Sequence, residues 1–232
     1  MASFSALPGS SPAHADGTPT TPASPARMLY FSGFDLWQSG GAVYLGAQWS
    51  PGGVEQTGFT LKLLLAEGSY RYRAGAAEIR DTNLVAAILP GWKFKRGNAE
   101  LTLFAGLDAQ QHWLSPDDPA ATLSGGRLGL RGGADLWWEP NANMMVAASA
   151  SASTFEGTSW IRWGAGWRVA GQFWAGPELQ ATGDRLYQQY RAGLHITGFR
   201  TGTLEWTAGG GFITDSAQGS GLYGRFGLLT RR

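Results

Sequence analysis

The chain has 232 residues, 15% of them charged, with a formal net charge of +1, 35 glycines, 11 tryptophans and no cysteine. That length allows a single domain in which one closed sheet uses nearly the whole chain, and the charged fraction lies well below the about 25% usual for soluble domains. The charge balance and the lack of a basic run exclude a nucleic-acid footprint, the missing cysteine excludes disulfides and thiolate metal sites, and no run of about 18 apolar residues is present to form a spanning helix.

Residues 1–27 are rich in Pro, Ala, Ser, Thr and Gly and read as a disordered leader or linker. They lack the basic start and apolar run of a secretory signal, which stands against export. Ala13-His14-Ala15 before Asp16 nevertheless has the small-x-small form of a cleavage site. A start inside a longer precursor and a plain flexible tail both fit.

From Met28 onward, apolar and polar residues alternate with period two between Gly, Pro, Asn and Asp clusters, which predicts twelve strands. The first covers 28–38 and the second 41–50. A third near 57–74 places Phe59, Leu61, Leu63 and Leu65 on one face, then changes phase around Glu67-Gly68 to Tyr70 and Tyr72, as a bulge or two shorter strands would. The fourth, 82–94, contains Pro90, which removes a ladder donor, and the fifth covers 99–111. A long loop, His112 to Ser124, precedes the sixth strand, Arg127 to Trp138, which shows the pattern most fully. Leu128, Leu130, Gly132, Ala134, Leu136 and Trp138 share one face; Arg127, Gly129, Arg131, Gly133, Asp135 and Trp137 share the other. The Trp pair resembles an interfacial belt. Strands at 142–153, 158–170, 171–181, 187–198, 202–213 and 220–230 complete the set.

Links alternate between short (Lys95 to Asn98, Glu139 to Asn141) and long (His112 to Ser124), as in bacterial barrels with short periplasmic turns, and an even count puts both chain ends on the periplasmic side. The fold expected for 28–232 is thus all-β: a single closed antiparallel up-and-down transmembrane β-barrel of about twelve strands in the bacterial outer membrane, in contact with its lipid. A soluble barrel would turn its apolar face inward and carry a charged exterior. Here the polar face is only half charged, and it repeatedly sets Arg beside an acid, which suits a lumen.

That lumen would hold Asp35, Lys62, Lys93, Glu100, Asp108, Arg127, Arg131, Asp135, Arg162, Arg168, Glu178, Arg191, Glu205 and Arg225, with His195 on the same face. Two accounts of these residues stand. In one they pair across the barrel and hold it shut. In the other, Arg and Gln donors with Trp37, Trp137, Trp174 and Tyr44 as stacking platforms bind a glycan, whose apolar CH faces and hydroxyls suit aromatic rings beside polar forks. A Gly-x-acid pattern recurs at Gly33-Phe34-Asp35, Gly106-Leu107-Asp108, Gly133-Ala134-Asp135 and Gly176-Pro177-Glu178, leaving space beside each acid for a long Arg. Paired carboxylates also cleave glycosidic bonds, but no nucleophile motif and no metal-ligand spacing is visible, so no cofactor is expected. His112, Asp117 and Asp118 fall in the longest loop, where solvated polar residues are the default and surface recognition the alternative.

The segments FSGFDLW (Phe31 to Trp37), WSPGG (Trp49 to Gly53), GFTLKLL (Gly58 to Leu64), YRYR (Tyr70 to Arg73), FAGLD (Phe104 to Asp108), LSPDDP (Leu114 to Pro119), GLRGGADLW (Gly129 to Trp137), RAGLHITG (Arg191 to Gly198) and GLLTRR (Gly227 to Arg232) resemble, in order, the BcsS family of bacterial cellulose-biosynthesis proteins. The resemblance implies an accessory envelope protein of cellulose-producing bacteria and supplies no catalytic residue. Three functions follow as expectations. The first is a non-enzymatic outer-membrane protein that assists cellulose export or anchors the secretion machinery, with cellulose synthase complex subunits or a cello-oligosaccharide as partner. The second is a small oligosaccharide channel; the third is an outer-leaflet lipid or glycan hydrolase.

Overall fold

The computed structural model describes residues 25–74, 77–116, 125–155, 157–184, 187–216 and 219–232, so the leader expected over 1–27 lies almost wholly outside the described residues. Twelve strands follow: β1 (Met28–Trp37), β2 (Gly40–Trp49), β3 (Gly58–Ala74), β4 (Ala77–Arg96), β5 (Ala99–Ser115), β6 (Gly125–Asn141), β7 (Met144–Ser153), β8 (Ser159–Val169), β9 (Phe173–Gly183), β10 (Gln188–Thr201), β11 (Leu204–Asp215) and β12 (Gly219–Arg231). Each pairs antiparallel with its neighbour in sequence, and β1 closes on β12 with Asp35 opposite Arg225. Closure leaves no edge strand, so the backbone groups find partners within the sheet, as hydrocarbon demands.

Alternation sets the two faces. Leu107, Leu128 and Leu130 are 58%, 80% and 61% exposed, whereas Asp108 and Asp135 are 1% and 5% exposed. Oily side chains therefore face outward and ionic ones inward. The outward set on β5 runs from Leu101 to Trp113, and at about 3.3 Å per residue and a tilt of about 40° it spans about 30 Å, the thickness of a bilayer core. Near the end of the barrel that carries both chain termini, the terminal end, Trp49, Phe59, Trp92, Phe94, Trp138 and Trp167 are exposed in a girdle. Trp49 meets Phe59 edge-on at 6.3 Å, and Phe173 meets Phe199 in the same way at 6.0 Å. Trp137 does not join this belt: it is 4% exposed and points inside.

Several expectations need correction. β3 pairs with β2 and β4 without a register shift, so there is no bulge at Glu67-Gly68 and no split strand. Tyr70 is buried inside, while Glu67 and Arg71 are exposed on the outer face. The outer face changes from Leu65 to Glu67 because the strand leaves the apolar layer there, and beyond it charge costs little. β3, β4, β5 and β6, with 17, 20, 17 and 17 residues, rise beyond this level at the far end, above neighbours of 10 residues such as β2 and β7. β5 thus continues through His112, which is a strand residue and not a loop residue; Asp117 and Asp118 lie outside the described residues. Gln172 sits in the β8–β9 turn, its N–H donating to the Val169 carbonyl at 3.0 Å.

The missing donors of Pro90 and Pro177 are absorbed locally. On β4–β5 the ladder skips from Ile88–Leu107 to Gly91–Phe104, and on β8–β9 from Gly164–Glu178 to Trp167–Ala175, each with register intact. At both gaps a glycine lets the strands close up: a Cβ on Gly106 would stand 2.1 Å from the Ile88 oxygen, and one on Gly176 would stand 2.1 Å from the Ala165 oxygen.

Candidate functional site

The interior is the part of the molecule with chemistry to offer, and it is built in three levels. From the terminal end to mid-barrel, on the side of β12 and β1–β4, inward residues of aliphatic and aromatic type form an apolar plug of Leu29, Phe31, Tyr44, Ala66, Val85 and Leu229. The β2–β3 connection folds back into this plug: Val54 is 2% exposed, its N–H donates to the Ala26 carbonyl at 2.8 Å, and its own carbonyl accepts from Lys93 Nζ at 2.5 Å. Lys93 and Lys95 share Glu100 at 3.1 and 2.9 Å. Beside the plug, Trp137, Met145, Ala147 and Trp174 pack together. The Trp137 indole donates to Glu139 at 3.0 Å, and the Arg168 guanidinium lies 4.0 Å over the Trp174 ring.

Across the middle run three chords, each joining strands three places apart around the barrel. Lys62 of β3 meets Asp135 of β6 at 2.5 Å, and Ser149 donates to the other Asp135 oxygen at 2.7 Å. Arg225 of β12 grips Glu178 of β9 through Nε at 3.0 Å to each oxygen and through Nη2, and Tyr223 adds its hydroxyl at 2.8 Å. Arg191 of β10 pairs with Asp35 of β1 at 3.3 Å, is held by Gln189 at 3.0 Å, and lies 5.1 Å over both the Trp37 and Tyr223 rings. A fourth pair, Arg131 with Asp108 at 2.9 Å, links adjacent strands, and Ser153 and Gln110 also donate to that carboxylate. Arg162 is buried with its guanidinium 5.6 Å over Trp160, and His195 is buried against Gly164.

Toward the far end, Trp37, Tyr70, Ile213 and Tyr223 cluster, and Tyr70 faces Tyr187 at 5.5 Å. Tyr187 precedes β10; burial and the nearby Asp215 raise its phenol pKa above the ordinary value. His112 pairs through Nδ1 with Asp81 at 2.8 Å and stacks on Phe155 at 5.6 Å. Asn83 falls on the inner face that alternation gives it with Lys93, whereas Asp81, just before the predicted start of the fourth strand, and His112, assigned to a loop, are inner-face residues that the sequence reading does not include. The signal was present, because Asp81 and Asn83 keep step with Lys93, and His112 keeps step with Glu100.

Of the predicted site residues, Asp35, Asp135, Arg162, Glu178, Arg191, His195 and Arg225 are buried in the interior together with Tyr44 and Trp174, and Arg131 is half-buried there. Arg168 lies at the terminal rim. Arg127 is exposed at the far rim instead of lining a closed lumen. All four acids of the Gly-x-acid pattern pair with a base. The space beside the glycine, however, is taken by an aromatic ring in two cases: a Cβ on Gly33 would stand 2.5 Å from the Tyr44 hydroxyl, and one on Gly133 would stand 2.7 Å from the Phe104 ring. The expected stacking platforms are not brought together, since Tyr44, Trp37 and the Trp137–Trp174 pair belong to three separate clusters. Among the described residues, no three His, Asp or Glu side chains are grouped to hold a metal ion.

A family model described as cellulose biosynthesis protein BcsS matches residues 29–232. No curated protein matches in sequence. Among solved structures, an outer membrane channel from Pseudomonas putida F1 superposes with a TM-score of 0.55 at 10% identity, over 94% of this chain and 100% of that one. LpxR from Salmonella typhimurium does so with 0.51 at 10% identity, over 88% and 99%, and the translocator domain of the autotransporter NalP from Neisseria meningitidis with 0.50 at 12%, over 94% and 90%. At such identities the likeness is one of fold: an outer-membrane β-barrel.

Proposed function

We propose that this chain, which belongs to the cellulose biosynthesis protein BcsS family, is a non-enzymatic accessory barrel that anchors the secretion machinery or assists export without itself conducting the polymer. The observation that carries this reading is the filled lumen: three ionic chords cross it, and the Val54 loop stops its terminal end. Arg131, Arg191 and Arg225, the cations a sugar channel would offer to its cargo, are already held by carboxylates. A hydrolase finds little support either. His112 Nε2 has no hydrogen-bond partner, so the His112–Asp81 pair activates no serine among the described residues. The longest link, 116–124, and the tall β3–β6 wall lie at the far end, so in this reading that end faces outward and the terminal end faces the periplasm.

Deleting the gene tests the role directly: extracellular cellulose falls, while synthase activity in inner-membrane vesicles is unchanged. Loss of vesicle activity refutes the accessory role. Purified barrel in planar bilayers shows no steady conductance; a conductance blocked by cello-oligosaccharides replaces this reading with the channel.

A further inference from the structure

We propose that the inner face of the far mouth, on β4–β6, binds a segment of neutral glucan, the exported polymer itself. This rests on the accessory reading above, in which that mouth faces outward, and names what the barrel holds. Four side chains on two paired strands carry the argument: Asp81 and Asn83 on β4, Gln110 and His112 on β5. They take consecutive inward positions, with Asn83 directly opposite His112, and all are 0–2% exposed. Five of their polar atoms nevertheless meet no hydrogen-bonding partner among the described residues: Asp81 Oδ1, both amide atoms of Asn83, Gln110 Oε1 and His112 Nε2. A buried polar atom left unpaired is costly and uncommon, so five on two paired strands mark a place built to be completed from outside the chain.

The atoms select the ligand. His112 Nδ1 donates to Asp81 Oδ2 at 2.8 Å, which leaves a lone pair on Nε2, and Gln110 spends its amide N–H on Asp108 at 2.7 Å, which leaves its oxygen. Four acceptors therefore stand against one donor group, the Asn83 amide. Such a set suits a molecule rich in hydroxyl donors. A single cation does not fit, because the two ring nitrogens point to opposite sides of the imidazole and so Asp81 and Nε2 cannot converge on one ion; a sugar presents a separate hydroxyl to each. The rungs concerned hold one carboxylate, Asp81, and one guanidinium, Arg127 opposite Gln110, so no surplus charge calls for an ionic sugar. Aromatic rings flank the polar set, as the CH faces of a glucan require: Tyr70 stands opposite Asp81, and Phe155 stacks on His112 at 5.6 Å.

The way in lies at β6. Gly125 is the residue opposite His112, and a Cβ built on it would meet nothing within 4 Å; Arg127, the next inward residue on the same strand, is exposed at the rim. None of the four side chains belongs to the ionic chords. A glucan held here therefore leaves the chords in place, and the mouth grips the polymer without admitting it to the closed lumen.

The test titrates cellohexaose into the full barrel in phosphatidylcholine nanodiscs, with calorimetry as the readout. Saturable binding is expected, weakened about tenfold by Asn83→Leu and further by the double variant Asn83→Leu, Gln110→Leu, as the loss of one and then two hydrogen bonds implies. Because the Asn83 amide pairs with nothing in the chain, Asn83→Leu leaves the urea midpoint unchanged or raises it, which loss of a structural hydrogen bond would not do. Hexagalacturonate binds more weakly than cellohexaose by about tenfold or more, and Arg96→Gln, exposed at the terminal end, leaves cellohexaose binding intact. Failure of the wild type to bind cellohexaose overturns the proposal, as does binding that survives the double variant or is matched by hexagalacturonate. A lowered urea midpoint in Asn83→Leu with binding unchanged makes these groups structural and overturns it as well. The two readings also fail separately. If the deletion leaves extracellular cellulose unchanged, the accessory role falls; if the deletion lowers it and the wild-type barrel binds no cellohexaose, the glucan site alone falls.

Discussion

Replacing Glu178 by Gln probes whether the interior is as closed as its geometry implies. The carboxylate is 3% exposed, Arg225 9%, and Glu178 accepts from Arg225 Nε, Arg225 Nη2 and the Tyr223 hydroxyl. Glu178→Gln keeps the side-chain volume but leaves a buried guanidinium without its counter-charge, and breaking a buried pair from one side costs about 3–5 kcal/mol. Because the amide still accepts one hydrogen bond, the expected loss sits at the lower end, about 3 kcal/mol. The double variant Glu178→Met, Arg225→Met removes both charges together, and apolar replacement of a whole pair is often close to neutral. It should therefore be more stable than the summed single losses by about 2 kcal/mol or more, a coupling that a double-mutant cycle isolates. Urea unfolding of the barrel refolded into lipid vesicles, followed by tryptophan fluorescence, measures the wild type, Glu178→Met, Arg225→Met and the double variant as the four corners, with Glu178→Gln alongside. A single-variant loss below about 1 kcal/mol with additive effects would refute the reasoning, since that is the behaviour of a hydrated, screened pair in an open lumen.

Two other substitutions examine the wall. Leu107→Arg, at an outward position 58% exposed, should cost about 2–4 kcal/mol in the same vesicle assay, whereas on a soluble surface it would stay within about 0.5 kcal/mol. Gly33→Ala puts a Cβ 2.4 Å from the Phe226 carbonyl oxygen and 2.5 Å from the Tyr44 hydroxyl, so overpacking should cost about 1–3 kcal/mol, while Gly224→Ala, with nothing within 4 Å, should shift the urea midpoint little.

Which residues face inward was legible because a period-two position cannot change sides without an extra residue in the chain. The same rule accounts for two of the places where the strands differ from the sequence reading. At Leu65 and Glu67 the outer face turns from apolar to charged with no change of register, because depth in the bilayer, and not side of the sheet, had changed. From sequence the two causes look alike, and only the cross-strand partners separate them. At Gly198 the reverse holds. A true irregularity lies between Thr197 and Phe199, with Gly198 at a φ of 78°, yet one more glycine among 35 carries no mark of it.

Pairing across the lumen is a different kind of quantity. Lys62 and Asp135 are 73 residues apart, and Glu178 and Arg225 are 47 apart; which acid meets which base depends on the stagger that closes the barrel, a property of all twelve strands together. The acids could be named from the Gly-x-acid pattern, but their partners could not. The stagger also decides what covers each aromatic face. Trp37 and Trp174, read from sequence as platforms for a sugar, each lie under a guanidinium of the same chain, Arg191 at 5.1 Å and Arg168 at 4.0 Å. Those contacts are intramolecular, so a dissolved glycan competes against a high effective concentration and must also strip Arg191 from Asp35. A lumen rich in stacking surfaces and donors is therefore occupied by the chain's own side chains, and any glycan entering it must displace contacts already made.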